Sequence, residues 1–368
     1  MTLVETFLDL VRIDSPSGDE AEVARYCADA LASLGFEVRF DDSSRHTGSN
    51  TGNLIAVLSP NAPGRTLVLS AHMDCVQPCR GVEPVLADGR ITSAGETVLG
   101  ADDKAGIAVI LETVRRFVES GESHGELRVV LTVSEETGLT GAKALDPADV
   151  QGDLCLVLDA DGEPGGIVTS APTHYTFVAT FNGTAAHAGV APEQGRSALV
   201  MASRAIAALK LGRLDESTTA NIGTLEGGTA TNVIPARATV TGECRSIDAE
   251  RVEQVRRMMD TTLQQAAHAG GGTVDVAWTR EYDGFSFDAD DPAVSLVSDA
   301  CREAGVEPTT FPTGGGSDGN VFTALGVPTL VLACGMKDVH STDESIRLSD
   351  LETLADIVTN VGRRMVGE

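Results

Sequence analysis

Two histidines and several carboxylates recur in short clusters along this chain of 368 residues. They are Ser70-Ala71-His72-Met73-Asp74, Gly100-Ala101-Asp102-Asp103-Lys104, Ser134-Glu135-Glu136-Thr137-Gly138, Asp159-Ala160-Asp161-Gly162 and Asp338-Val339-His340-Ser341-Thr342. Each alone has an ordinary explanation: an HxD pair fits a polar turn, and paired acids fit a solvated helix start, where they favour the dipole. Together they supply the imidazole nitrogens and carboxylate oxygens that a pair of divalent ions needs. Zinc binds such donors and keeps a position open for water. Two ions about 3.5–4 Å apart call for a carboxylate between them. In Glu135-Glu136 one residue can ligate while its neighbour points elsewhere and takes a proton from water. Asp74, two residues after His72, can accept the imidazole's other N–H. Both Asp159 and Asp161 are candidate ligands, and proximity to the strand end favours Asp159.

The elements around these clusters set their positions. The spacing predicts a helix over 20–34 ending at Gly35, strands FEVRF, NLIAVLS and TLVLSAH, and a helix over 103–119. Strands ELRVVLTV and DLCLVLD follow. Such continuous apolar runs predict a buried, mostly parallel sheet flanked by helices. Open sheets of this kind bind ligands beyond the carboxyl ends of their strands, where the five clusters lie. Between 174 and 285 the texture changes to two αβ halves with paired strands, which predicts a smaller α+β insert. The α/β rhythm resumes with a helix through Glu303, a Gly-rich loop, the strand PTLVLAC and a final helix over 349–366. The expected organisation is a domain of residues 1–173 and 286–368 interrupted by a domain of residues 174–285.

Composition narrows the function classes. There are 54 acidic against 27 basic residues, a net charge of −27, so nucleic-acid binding through a basic face is excluded. No apolar run approaches the ~18–20 residues of a membrane span, so no membrane partner is expected. The first residues, MTLVETFLDLVRIDS, lack the cationic start of a secretory signal, and the seven cysteines read as reduced packing thiols. A cytoplasmic protein is the expectation.

The ordered set SPSGDE, SAHMDCV, LGADDKAG, TVSEETGLTGAK, LDADG, GTAAHAG, GGTATNVIP, GGGSDGN and VHSTDE resembles the co-catalytic di-zinc metallopeptidases of the aminoacylase and carboxypeptidase clan, most closely the peptidase T (tripeptidase) branch. The resemblance runs over nearly the whole chain. It implies that His72, Asp102 and Asp159 hold one zinc and that Asp102, Glu136 and His340 hold the other, with cobalt or manganese as substitutes. It also implies a cis peptide between Asp102 and Asp103. Glu135 would be general base toward a metal-bridging hydroxide, and Asp74 the partner of His72. His187 would polarise the scissile carbonyl, often from a partner chain, while Asn232 and Arg245 would bind the substrate's backbone and carboxylate. The insert would be a ferredoxin-like lid or dimerisation domain. An aspartate ligand at 159 tilts the family reading toward aminopeptidases acting on short peptides. The alternative on the same site is an N-acyl-amino-acid amidohydrolase or a carboxypeptidase.

Overall fold

The computed structural model describes residues 2–366. They form two compact units, one of residues 2–169, 287–312 and 317–366, the other of residues 170–286 and 313–316.

The first unit begins with helix α1 (Leu3–Arg12). A capping box closes its start: Thr2 accepts from the Glu5 amide while the Glu5 carboxylate accepts from the Thr2 amide. Leu3, Phe7, Leu10 and Val11, spaced for one helical face, are buried. Helix α2 (Ala21–Ser33) buries Val23, Ala24, Cys27 and Leu31 and gives way to Gly35 at φ +88°. Strands β1 (Glu37–Phe40), β2 (Leu54–Leu58) and β3 (Leu67–His72) follow. A hairpin of Pro84–Ala87 and Arg90–Ser93 precedes helix α3 (Ala101–Ser120), which is buried on nearly every side. It packs on β3 and α1. Gly106 permits the close approach of α3 to the sheet, since a Cβ there would lie 2.4 Å from both the Asp103 carboxylate and the Leu158 carbonyl. Strands β4 (Leu127–Thr132), β5 (Leu154–Ala160) and β6 (Gly166–Ala171) complete this stretch.

The second unit is built from β7 (Thr173–Asn182), α4 (Ala198–Ala208), β8 (Thr218–Gly227), β9 (Arg237–Ser246), α5 (Ala249–Ala269) and β10 (Thr273–Tyr282). Its sheet runs β8-β9-β7-β10 with every neighbour antiparallel, and a two-residue strand, Gly212–Arg213, pairs with the outer edge of β8. This β-α-β-β-α-β order with the first and third strands central is the ferredoxin-like pattern. Phe177, Phe181, Val240, Met259 and Leu263 belong to a core of its own.

The chain then returns to the first unit through α6 (Pro292–Glu303), α7 (Asp318–Ala324), β11 (Thr329–Ala333) and α8 (Leu348–Arg364). The central order is β1-β2-β4-β3-β5-β11-β6. Only the pairs β4/β3, β3/β5 and β5/β11 are parallel; β1/β2, β2/β4 and β11/β6 are antiparallel. The expected mostly parallel sheet is therefore mixed, parallel in the middle and antiparallel toward both edges. The buried β3 is the continuous apolar run that parallel strands require, whereas the edge strand β1 is largely exposed. The connection from β1 to β2 holds one helical turn, Ser44–Thr47, instead of a crossover helix. Among the described residues no helix is long and apolar enough to cross a membrane.

Candidate active site

The carboxyl ends of the central parallel strands carry the clustered acids and histidines. His72 is the last residue of β3, Asp159 lies one residue before the end of β5, Glu135 and Glu136 follow β4, and His340 follows β11. Asp102 sits at the start of α3, where Asp102 and Asp103 leave helical geometry and the peptide between them is cis. Four non-glycine residues in these loops have left-handed backbones: Ser134 at φ +53°, Leu139 at +59°, Asp338 at +54° and His340 at +63°. Such conformations persist only where surrounding structure fixes them.

Asp102 stands between two groups. One carboxylate oxygen lies 2.9 Å from His72 Nε2, which is itself 3.5 Å from Asp159 Oδ1. The other oxygen lies 3.1 Å from His340 Nε2, which is 2.9 Å from Glu136 Oε1. The donor atoms of His72, Asp102 and Asp159 all lie within 4.8 Å of one another, as do those of Asp102, Glu136 and His340. Glu136 Oε1 is buried against His340 Nε2. Imidazole nitrogen with carboxylate oxygen suits zinc and its first-row neighbours better than the all-oxygen cages of calcium or magnesium. The residues thus fit two divalent cations sharing Asp102. Asp161 is exposed and belongs to neither group. Glu135, buried, has a carboxylate oxygen within 4.8 Å of donor atoms of His72 and Glu136.

A ring of further residues fixes these side chains. The His72 Nδ1–H donates to the Asp74 carbonyl at 2.9 Å, with the Asp74 carboxylate at 3.4 Å, which leaves Nε2 facing Asp102. The Asp74 carboxylate chiefly serves the neighbouring loop: it accepts from Ser17 Oγ at 2.6 Å, the Glu135 amide at 3.0 Å and the Glu136 amide at 3.2 Å. Glu344, fully buried, accepts from the Gly100 amide at 2.7 Å and the Asp102 amide at 2.9 Å. Glu20 accepts from the Ser134 amide at 3.0 Å, and Asp103 from the His72 amide at 3.3 Å. Asp318 accepts from Thr132 Oγ1. The sequence reading gave no role to Glu344, Glu20, Asp103 or Asp318, although all four lie within the motif segments quoted above.

Ionisation follows from this crowding. Burial and then the facing Asp159 push the Glu135 carboxyl well above its usual range. Burial also lifts Asp159, to about 7, against the pull of His72. Asp102 goes the other way: burial opposes ionisation, but hydrogen bonds from His340 and His72 hold it well below the usual range. Asp102 and Glu136 in turn raise His340 to about 10. A cluster with this excess of negative charge is suited to hold cations.

The three remaining predicted residues lie in the second unit. His187 and Asn232 are exposed and belong to adjoining strands of loop, with His187 bridged to Val233 and the Ala188 amide donating to the Asn232 carbonyl at 2.9 Å. Arg245 lies apart from them on β9. Its Nη2 donates to Glu243 Oε2 at 2.8 Å and its Nη1 to Tyr282 Oη at 3.3 Å. His174 Nε2 lies 2.8 Å from the same Glu243 oxygen. The His174 hydrogen bond, then Arg245, outweigh partial burial and pull the Glu243 carboxyl down to about 2.

Comparison with known proteins bears on the whole chain. The model of peptidase family M20/M25/M40 matches residues 68–364. The uncharacterized protein YqjE of Bacillus subtilis strain 168 is 39% identical over 359 residues, which cover 98% of this chain and 97% of that protein. Among solved structures, aminopeptidase PepT from Bacillus cereus is 40% identical with a TM-score of 0.91, covering 99% of this chain and 98% of that one. A tripeptidase from Staphylococcus aureus is 35% identical with a TM-score of 0.94, covering 99% and 97%.

Proposed function

The chain belongs to peptidase family M20/M25/M40, and we propose that it is a zinc-dependent aminopeptidase of the tripeptidase kind, acting on short peptides. It is a peptide hydrolase by family; the free amino terminus as the recognised end is supported by the names of two solved structures at 35% and 40% identity, a tripeptidase and an aminopeptidase. The observation that carries the reading is Asp102, whose two oxygens face His72 at 2.9 Å and His340 at 3.1 Å. That is the arrangement a carboxylate shared by two cations requires.

In this reading His72, Asp102 and Asp159 hold one ion, and Asp102, Glu136 and His340 hold the other. When bound, the ions lower the pKa of a water molecule and polarise the scissile carbonyl. Glu135 takes the proton of the attacking water and hands it to the leaving amine. Its burial supports that second step, because a carboxyl out of water holds a proton more readily than an exposed one. Asp74 keeps the Glu135 and Glu136 amides in register with His72. His187, Asn232 and Arg245 are proposed from the sequence resemblance to stabilise the carbonyl oxygen and hold the substrate's backbone and carboxylate. A cytoplasmic protein is supported by seven free, buried cysteines. A homodimer through the second unit is proposed for the case that His187 serves a partner's site.

The test is hydrolysis of a free tripeptide, its N-acetylated form and its C-amidated form, with zinc or cobalt and after chelation. Cleavage that needs metal and a free amino terminus, and that Glu135→Ala lowers by roughly 10²–10⁴-fold, is the expected result. Preference for the N-acetylated peptide overturns the aminopeptidase reading in favour of a deacylase or carboxypeptidase.

A further inference from the structure

Glu243, Arg245, His174 and Tyr282 come from three strands and lie side by side on the face of the second unit's sheet that the helices leave uncovered. Along β9, Val240 and Cys244 belong to the core, so Glu243 and Arg245 alternate to the other face. The ladder sets Arg245 opposite His174 and Tyr282 opposite His174. The His174 and Tyr282 rings lie 5.2 Å apart.

We propose that Glu243, backed by His174, is a positioning residue that holds the Arg245 guanidinium ready to read the terminal carboxylate of the substrate. This rests on the reading, given above, that Arg245 binds that carboxylate. A guanidinium has five N–H donors. Here Nε and Nη2 address the single oxygen Glu243 Oε2, at 3.3 and 2.8 Å, and Nη1 addresses Tyr282 Oη at 3.3 Å. Two donors remain, one on each terminal nitrogen, and Arg245 keeps 28% of its side chain exposed. A pair of N–H groups on one rigid plane matches the two oxygens of a carboxylate.

A surface ion pair alone would explain Arg245 with Glu243 and nothing more. Two features go beyond it. His174, itself buried, gives the same Glu243 oxygen a further partner from a different strand, at 2.8 Å, so the carboxylate cannot swing with the arginine. Tyr282 is hemmed in as well: a Cβ on Gly316 would lie 2.2 Å from its ring carbon Cζ, so the Gly-rich loop closes directly over the phenol. The guanidinium is thereby gripped on both sides, and only its unpaired donors are offered outward.

The experiment compares KM and kcat for a free tripeptide and its C-amidated form, using metal-loaded full-length protein with Glu243→Ala, Glu243→Gln, His174→Ala and the Glu243→Ala/His174→Ala double variant. Glu243→Ala is expected to raise KM for the free peptide about tenfold, as loss of a hydrogen-bonded charge pair does, with kcat unchanged. KM for the amide should stay as in wild type. Glu243→Gln, which keeps an acceptor oxygen, should recover part of the loss, and the double variant should be no worse than Glu243→Ala because His174 acts through Glu243. An equal change for both peptides, or a lowered KM for the free one, overturns the proposal. Wild type that separates the two peptides while the variants match it overturns this inference alone. Wild type that does not separate them overturns the assignment of Arg245 and this inference with it, and leaves the metal site's reading intact.

Discussion

Asp74 makes the case that a carboxylate can govern a site without touching reacting atoms. Its backbone carbonyl takes the His72 Nδ1–H, and its carboxylate takes the amides of Glu135 and Glu136 together with the Ser17 hydroxyl. One residue thus orients a metal-ligand candidate, a second ligand candidate and the proposed base. Removing it leaves two amides without acceptors, at roughly 1–3 kcal/mol for each buried donor. Asp74→Ala is therefore expected to lower metal affinity or turnover by roughly 10–100-fold, the usual cost of losing an outer partner. Asp74→Asn, with one acceptor oxygen left, should fall between. Calorimetric zinc titration alongside kcat checks this. Wild-type affinity and turnover in Asp74→Ala would show that Glu135 and Glu136 hold their places without it.

At the scale of elements, the segment after β11 does two jobs. It presents His340, and four residues on it supplies Glu344, whose carboxylate takes the Gly100 and Asp102 amides at the start of α3. One loop therefore places a ligand candidate of its own and clamps the turn that carries the shared one. Glu344→Ala should weaken zinc binding by roughly 10–100-fold and lower the melting temperature, while Glu344→Gln should retain most of both. Unchanged zinc affinity in Glu344→Ala would mean that the α3 turn is fixed by other contacts. Glu344 also shows why part of the site escapes a sequence. An acid that accepts backbone amides has the same letter as one that faces water, and only the fold tells which. His72, Asp102, Glu135 and His340 were legible because imidazole and carboxylate clusters recur where strands end or a helix begins, and taken together such clusters have few other uses. The helices over 21–33 and 101–120 were legible from apolar spacing. Helix α1 was not read, although Thr2 and Glu5 form a capping box and Leu3, Phe7, Leu10 and Val11 have helical spacing. The sheet's antiparallel edges were not legible, because strand direction depends on how the chain crosses between strands and not on the strands' own residues.

At the scale of the whole molecule, the candidate metal ligands and the proposed substrate residues belong to different units with different cores. His72, Asp102, Glu136, Asp159 and His340 all lie in the first unit, and His187, Asn232 and Arg245 all lie in the second. Residues 170–286, which make up most of the second unit, are inserted through a single place: Ser170 pairs with Ser286 and Ala171 with Phe285, so the two ends of the segment meet in one short antiparallel pair. Among the described residues, its core of Phe177, Phe181, Val240, Met259 and Leu263 draws on none outside 170–286. A segment with its own core and adjacent ends has the anatomy of an independently folding domain. Residues 170–286 expressed alone should therefore give a mixed helix and strand circular dichroism spectrum and one cooperative urea transition. Conversely, a chain in which a short Gly-Ser linker joins Thr169 to Phe287 should still bind two zinc ions, because every candidate ligand remains, and should lose peptide turnover. A gradual, non-cooperative transition of the isolated segment would show that its order is borrowed from the rest of the chain. Loss of zinc binding in the shortened chain would show that the metal site depends on the inserted unit, although no candidate ligand lies in it.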